Sequence, residues 1–353
     1  MINENNPIQT AILSFGMSGR VFHAPFIHLH PGFRLVGILE RTKNESLQFY
    51  PDIHIYRSLE ELLNDSTIEL VVVNTPTNTH FDYCKKALEA GKHVVVEKAF
   101  TTTVAEAIEL IEIAKSHKLL LSVYQNRRWD SDFSTVRSVV EQNLLGDIFE
   151  AEFHYDRFKE LLSPKLHKEI PGPGAGLLND LGPHLIDQAL SLFGMPESVL
   201  ADISTLRPNS QVDDCFMLIL YYSDKRVVLK SNLMIREALP AFVVHGKKGS
   251  FIKSRADVQE IALLANEKPN LTNWGTEPES EQGLLHTEIN GEILHKRIPS
   301  VQGNYYYYYD GIYNAMAHSS SAPVTALDGL HVMQIIEAAI KSNASKSAIN
   351  INP

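Results

Sequence analysis

The sequence predicts an α/β protein in two parts: a doubly wound parallel sheet first, then an α+β domain built on a large, mostly antiparallel open sheet. Three observations carry that expectation. Val/Ile/Leu-rich runs alternate with helix-period segments through the first third, the pattern of a parallel sheet covered on both faces. After Asn126 the texture changes to strands separated by short polar breaks. The 353 residues exceed one ordinary core at roughly 150 residues per domain, so two domains are expected, 1–126 and 127–353.

The elements follow in order. "IQTAILSF" (8–15) reads as a strand and the segment after Gly19 as a helix; "FRLVGILE" (33–40) is a second strand. "SLEELLND" (58–65) is a capped short helix and "IELVVVNT" (68–75) a third, wholly apolar strand. A helix over 79–92 stops at Gly91, "HVVVEKAF" (93–100) is the next strand, a helix crosses 103–118, and "LLLSVYQN" (119–126) ends the series. Beyond it, 147–158, 199–207, 215–222, 226–235 and 241–253 read as strands. Pro183 fixes a helix start near Gly182, because proline is tolerated only in the first turn. Helices near 305–318 and 328–342 close the chain, and the tyrosine run Tyr305 to Tyr309 reads as packing or interface.

Bulk properties exclude several classes. A hydrophobic content of 44% with 21% charged residues is ordinary for a globular protein. The net charge of −10, with no basic block, argues against nucleic acid and anionic membranes as partners. Cys84 and Cys215 are the only cysteines and have no C-x-x-C companion, so neither a disulfide framework nor a zinc knuckle is expected. No apolar run reaches membrane-span length and the N-terminus lacks a signal core, so a cytoplasmic protein is expected.

The stretch Ser14, Phe15, Gly16, Met17, Ser18, Gly19 nearly matches the glycine-rich turn that passes a pyrophosphate from a strand to a helix N-terminus. Gly16 permits close approach of phosphate and Gly19 close packing of helix on strand; Ser14 stands where the first glycine belongs, which is allowed if its φ stays negative. Glu40 ends the second strand about 20 residues on, where a ribose-binding acid is expected. Beside it, Arg41, Thr42 and Lys43 suit a 2′-phosphate, which favours NADP with NAD possible; a solvated helix start is the plain alternative.

Ligands in open α/β sheets bind at the carboxyl ends of the strands. That makes Thr75, Pro76, Asn78 and His80, then Glu97 and Lys98, then Gln125, candidate cofactor residues. Glu97 and Lys98 follow an apolar run; a solvated strand end explains them equally well. In the second domain Asp180 and His184 flank Pro183 at one helix mouth, a pairing suited to proton transfer and substrate orientation. Taken alone, each has a plainer reading: a helix cap for Asp180, a buried, hydrogen-bonded histidine for His184. Asp180, His184 and Asp187 have a helical spacing open to a metal, but Asp187 lies among "LIDQAL" and reads as a core hydrogen-bonding group, so no metal site is expected. Arg127, Arg128 and Tyr155 are weaker substrate candidates, with packing and salt-bridge roles at least as natural.

In order, the fingerprint, "NTPTNTHF", "EAGKHVVVEKAF", "YQNRRWD", "NDLGPHLIDQALSLFG" and "HGKKGSFIK" resemble the Gfo/Idh/MocA oxidoreductase family along the whole chain. "SVYQNRRWDSDF", "LIDQALSLFGMP" and "IPSVQGNYYYYY" are most similar to NADP-dependent scyllo-inositol 2-dehydrogenases. Two positions depart from the family: Ser14 for the first glycine, and Ala99 for the proline of E-K-P.

The resemblance implies an NAD(P)-binding Rossmann domain at 1–126 and a substrate-binding and oligomerisation domain at 127–353. It also implies a hydride transfer at a secondary alcohol of a cyclitol or sugar, with Lys98, Asp180 and His184 as the catalytic set. A homodimer or homotetramer formed through the open sheet face is expected. The alternatives are a non-catalytic regulator that senses the cofactor, and the same fold acting on an amino-sugar, a tetrapyrrole or a dihydrodiol.

Overall fold

The structure, a computed structural model, describes residues 6–163 and 169–351. Its first sheet is parallel, with strands β1 (Ile8–Ile12), β2 (Phe33–Leu39), β3 (His54–Tyr56), β4 (Leu70–Val73), β5 (His93–Glu97) and β6 (Leu121–Tyr124) in the order β3-β2-β1-β4-β5-β6. Order reverses beside β1, which is the doubly wound arrangement the alternating sequence predicts. All four residues of β4 are buried, as are the middle three of β5, which is why those strands carry no polar alternation.

The helices start and stop on local signals. A π-type turn over Gly19–His23 runs into α1 (Ala24–Leu29). The Ser58 hydroxyl accepts the Glu61 N–H and starts α2 (Leu59–Asn64); α3 (His80–Glu89) ends before Gly91, whose φ is +77°. A reciprocal capping box between Thr103 and Glu106 opens α4 (Val104–His117). β3 escapes the sequence patterns because three residues are too few to show a period; it is recruited by β2, where Gly37 leaves room for the Tyr56 ring.

The second sheet has nine strands: β7 (Ile148–His154), β8 (Ser198–Ser204), β9 (Cys215–Tyr221), β10 (Arg226–Asn232), β11 (Phe242–Gly246), β12 (Gly249–Lys253), β13 (Gly283–Ile289), β14 (Glu292–Ile298) and β15 (Ile349–Asn350). Every pairing is antiparallel except β7 with β10. Along β9 burial alternates: Phe216, Leu218 and Leu220 face the core, while Cys215, Met217, Ile219 and Tyr221 stay half-exposed. Each buried side chain of that size is worth about 1.5–3 kcal/mol over exposure. The inner face is covered by α5 (Ser131–Glu141), α6 (Leu177–Asp180) and α7 (Gly182–Phe193). The run 241–253 is a hairpin of β11 and β12, and β14 is exposed on both faces, so no burial alternation marks it.

α8 (Val258–Leu264) lies between β12 and β13, and α9 (Tyr306–His318) and α10 (Ala326–Ser345) lie between β14 and β15. The chain forms two compact units, residues 1–126 with 259–274 and 304–330, and residues 127–258 with 275–303 and 331–353. Within the first unit the tyrosine run is packing: Tyr305, Tyr308 and Tyr309 are fully buried, and Tyr307 is 47% exposed. Tyr305 sits edge-on to Phe26 at 5.8 Å, Tyr306 stacks on His30 at 4.9 Å and Tyr308 meets Tyr124 at 4.7 Å. Among the described residues no helix is long and apolar enough to cross a membrane.

Candidate active site

The glycine-rich turn joins β1 to the first helix. The Ser14 hydroxyl accepts the Gly16 N–H at 3.2 Å, so the serine secures the turn with its side chain, and its φ is not positive. That is how a residue with a Cβ replaces the first glycine. Gly19 is obligatory for packing: a Cβ there would lie 2.0 Å from the Ser14 carbonyl oxygen and 2.8 Å from Asn74 Nδ2. Gly16 is different, since a Cβ would meet only Ser14 Oγ, at 3.4 Å, and the space above its backbone opens into a cleft of about 660 Å³. An open backbone at this glycine at the mouth of a helix is what a pyrophosphate requires, so the residues present suit a dinucleotide. Phe15 lines the cleft against Phe49 and Tyr50, and Met17 is exposed.

The same cleft is lined by Glu40, Arg41, Thr42 and Lys43, and also by Arg57, Tyr83 and Lys86. Glu40 is buried, and both its oxygens are engaged: Oε1 accepts the Glu45 N–H at 3.0 Å, and Oε2 accepts the Ser46 N–H at 3.1 Å and the Ser46 hydroxyl. The acid therefore ties down the turn that follows it. Arg41, Thr42 and Lys43 stay exposed, Lys43 in a surface ion pair with Glu45 at 2.7 Å. Arg57 shapes this loop by donating to the carbonyls of Glu40 (2.7 Å) and Lys43 (2.6 Å) and to Asn44 Oδ1 (2.5 Å).

At the ends of β4 and β5 the expected residues divide by role. Thr75 and Pro76 line the cleft and Asn78 is exposed. His80 is fully buried between the two loops, with Nδ1 2.8 Å from the Ala99 carbonyl and Nε2 2.8 Å from the Thr75 carbonyl; burial pushes its pKa down, and the neutral ring donates its single N–H to one of the two. The Lys98–Ala99 peptide bond is cis. Glu97 is a hub: Oε1 accepts from the Ser18 hydroxyl and faces His23 Nε2 at 3.1 Å, and Oε2 accepts the Lys98 N–H at 3.1 Å. Burial alone would raise its pKa, but His23, Ser18 and the Lys98 charge outweigh that and hold it at about 2. Gln125 is buried after β6.

A carboxylate with a depressed pKa stabilises the fold above its unfolded value of 4.5 and loses that contribution as pH falls toward 2. The destabilisation caused by Glu97→Gln is accordingly expected to be full at pH 7 and to shrink below pH 4.5, as read from denaturant midpoints of both proteins across pH. A penalty that stays constant down to pH 3 would contradict the assignment.

In the second unit α7 begins at Gly182 with Pro183 in its first turn, as the proline predicts. Asp180 closes α6, half-buried, and His184 lies buried in the first turn of α7. The Asp213 backbone and side chain hold the start of α6, accepting the N–H groups of Leu177 and Leu178 at 2.9 and 2.7 Å. Gly176, at φ +88°, makes room, since a Cβ would fall 1.9 Å from Asp213 Oδ1. Asp187 is clamped by Arg128 through two bonds of 2.8 and 2.7 Å, so the aspartate is an ion-paired core residue. Arg127 is paired with Asp130 and Asp257 at 3.0 Å each, and Tyr155 lies beneath the guanidinium groups of Arg127, Arg157 and Arg255.

Sequence reasoning missed Arg57, Tyr83, Lys86, His23 and Tyr309. Arg57 is adjacent to the Ser58 cap, a position that carries no cofactor signal. Tyr309 is distant in sequence and reaches this unit only through the packing of α9. His23 was within sight, four residues past Gly19, but only the π-type turn aims it at Glu97.

A parallel sheet with a glycine-rich first turn and a cleft at its carboxyl edge, followed by an open-faced sheet unit, defines the class: a two-domain NAD(P)-binding oxidoreductase. The model of an oxidoreductase family with an NAD-binding Rossmann fold matches residues 8–125, and that of its C-terminal alpha/beta domain matches 137–351; the chain belongs to the Gfo/Idh/MocA oxidoreductase family. An uncharacterized oxidoreductase of Schizosaccharomyces pombe is 41% identical, covering 98% of this chain and all of that one. The scyllo-inositol 2-dehydrogenase (NADP(+)) IolW of Bacillus subtilis is 38% identical over 97% of this chain and 95% of its own. A Bacteroides fragilis protein of known structure is 46% identical, with a TM-score of 0.91 over 98% of this chain and 100% of that one.

Proposed function

We propose that the protein is an NADP-dependent dehydrogenase that interconverts a secondary alcohol and a ketone on a cyclitol or sugar in the cytoplasm. The observation that carries the cofactor preference is Glu40. Its oxygens are bonded to the turn at Glu45 and Ser46, while Arg41, Thr42 and Lys43, with Arg57 and Lys86, line the cleft. A carboxylate that already accepts three bonds from the protein has little capacity left for a ribose hydroxyl, and the surrounding cations favour a 2′-phosphate. The substrate class draws support from IolW, the NADP-linked inositol dehydrogenase relative.

A bound nicotinamide supplies the hydride acceptor or donor. Among the protein's own groups, Lys98 offers an ammonium to the oxygen on which negative charge develops, and His184 takes the hydroxyl proton at an imidazole nitrogen. Asp180 accepts hydrogen bonds from neighbouring hydroxyls and so orients the ring. A panel of cyclitols and sugars with NADP⁺ and NAD⁺, followed by absorbance of the reduced nicotinamide, tests the reading. No turnover on any polyol with either cofactor would sink it.

Replacing both Arg41 and Lys43 by alanine is expected to weaken NADP⁺ binding by about 10- to 100-fold, the worth of one or two charge-assisted hydrogen bonds. NAD⁺ affinity should move by less than about threefold, because it lacks the phosphate those groups serve. Fluorescence titration of both cofactors decides this, and an equal loss for the two would return the preference to NAD.

The half-exposed face of the second sheet, with Met217, Ile219 and a groove of about 210 Å³ at Leu200, Ala201 and Asp202, is proposed as the surface of a homodimer or homotetramer. Ile219→Asp is expected to yield monomers in sedimentation velocity. A monomeric native protein would remove the proposal.

A further inference from the structure

The five-residue step from Ser18 to His23 is unusual in its outcome. In an α-helix residues five apart point about 140° away from each other. Here the chain between them takes the wider π-type turn, closed by a hydrogen bond from the Ala24 N–H to the Gly19 carbonyl, and both side chains reach the same oxygen, Glu97 Oε1. π-type turns are often found where a side chain has a task that a regular helix could not meet.

Behind His23 the chain of bonds continues. His23 is fully buried, its ring 4.3 Å from that of Tyr124, and its Nδ1 is 2.6 Å from the Tyr309 hydroxyl. Tyr309 is itself fully buried, and burial raises its pKa well above the ordinary tyrosine value, so it is a permanent hydroxyl. In the neutral tautomer that donates its Nε2 proton to Glu97, Nδ1 accepts the Tyr309 O–H. In that tautomer bond polarity runs in one direction, from Tyr309 through His23 to Glu97. On its other side Glu97 holds the N–H of Lys98, and the next carbonyl, of Ala99, lies 2.8 Å from His80 Nδ1. The charged and titratable groups facing the carboxylate are His23, Lys98, His80 and Tyr309.

We propose that His23 and Tyr309 are positioning residues for Lys98: through Glu97 they fix the Lys98 peptide and keep a negative charge beside the Lys98 amine. The catalytic meaning of this arrangement rests on the proposed role of Lys98; the arrangement itself does not. Its consequence is an ammonium that stays charged over the working pH range and is aimed by a buried scaffold.

The test is competitive acylation of the full-length protein with trace acetic anhydride across pH, with Lys98 labelling quantified by peptide mass. Acylation requires the neutral amine, so the labelling midpoint reports the Lys98 pKa. Glu97→Gln is expected to lower the midpoint by about one unit or more, the effect of removing an adjacent opposite charge. Tyr309→Phe, which deletes one hydroxyl, and His23→Gln, which keeps an N–H for Glu97 but shortens the chain to Tyr309, leave Glu97 ionised and should shift the midpoint by a smaller amount, through displacement of the carboxylate. Both should reduce kcat by about 3- to 10-fold with KM and NADPH affinity nearly unchanged, the share of one net hydrogen bond.

Ser18→Ala removes the other donor to Glu97 at a half-exposed position and is expected to move the midpoint likewise, which keeps the test decisive if a buried variant does not fold. Midpoints unmoved in every folded variant would overturn the proposal. Lys98→Met turnover is measured alongside. Native turnover there with shifted midpoints would remove the catalytic role and leave the positioning network standing; an inactive Lys98→Met with unmoved midpoints would do the reverse.

Discussion

Lys98→Met is expected to lower kcat by about 10²- to 10³-fold or more, the cost of removing one preorganised donor from a developing oxyanion, while NADPH binds with its native affinity. Methionine is matched to the lysine stem in length and apolar character, so the end of β5 keeps its packing. What disappears is the ammonium. The Glu97 carboxylate, which accepts the Lys98 backbone N–H at 3.1 Å, remains bonded, because the substitution leaves that N–H in place. The loss should therefore fall on kcat and kcat/KM together, the signature of an interaction made chiefly in the transition state. Single-turnover absorbance with the best polyol from the panel, paired with a fluorescence titration of NADPH, separates chemistry from binding. Turnover within threefold of native would take Lys98 out of the mechanism.

How much of this could be read from the letters depends on the range of the interaction. The parallel sheet, its helices and several of their ends were legible because they depend on neighbours: Ser58, Gly91 and Pro183 each act within a few residues, and the structure places them as the patterns predict. The short β3 and the doubly exposed β14 were not, since one has too few residues for a period and the other has no buried face. At the site, the glycine-rich turn and the loop at 40–43 were found by spacing.

The long-range part stayed hidden for a physical reason. Glu40 accepts three hydrogen bonds from Glu45 and Ser46, which fold back onto it, and a strand-terminal acid looks the same in sequence whichever partner it takes. The tyrosine run is legible as aromatic packing, but that Tyr309 ends on His23 follows only from where α9 docks. Arg128 and Asp187 lie 59 residues apart, the first read as a substrate candidate and the second as a core hydrogen-bonding group; that they bond to one another follows only from the fold.

The second large effect concerns the glycines of the first turn, which should fail in opposite ways. Gly19→Ala forces a Cβ to within 2.0 Å of the Ser14 carbonyl oxygen and 2.8 Å of Asn74 Nδ2. The first of these is backbone, and the 2.8 Å bond from Asn74 to that same carbonyl is what holds the turn against β4, so nothing nearby yields cheaply. The helix must lift off the strand. An overpacked site of this kind costs about 1–3 kcal/mol, which at roughly 2–4 °C per kcal/mol lowers the melting temperature by several degrees.

Gly16→Ala meets only Ser14 Oγ at an ordinary 3.4 Å, so the fold should melt within about a degree of native. Its methyl nevertheless occupies the open side of the turn where a pyrophosphate must approach, and NADP⁺ affinity is expected to fall by at least about 10-fold. Thermal melts with and without NADP⁺ distinguish the two. Gly19→Ala should melt low in both conditions, and Gly16→Ala should match native without cofactor and lose the stabilisation that cofactor confers, because only the second substitution places its strain on the ligand instead of on the chain.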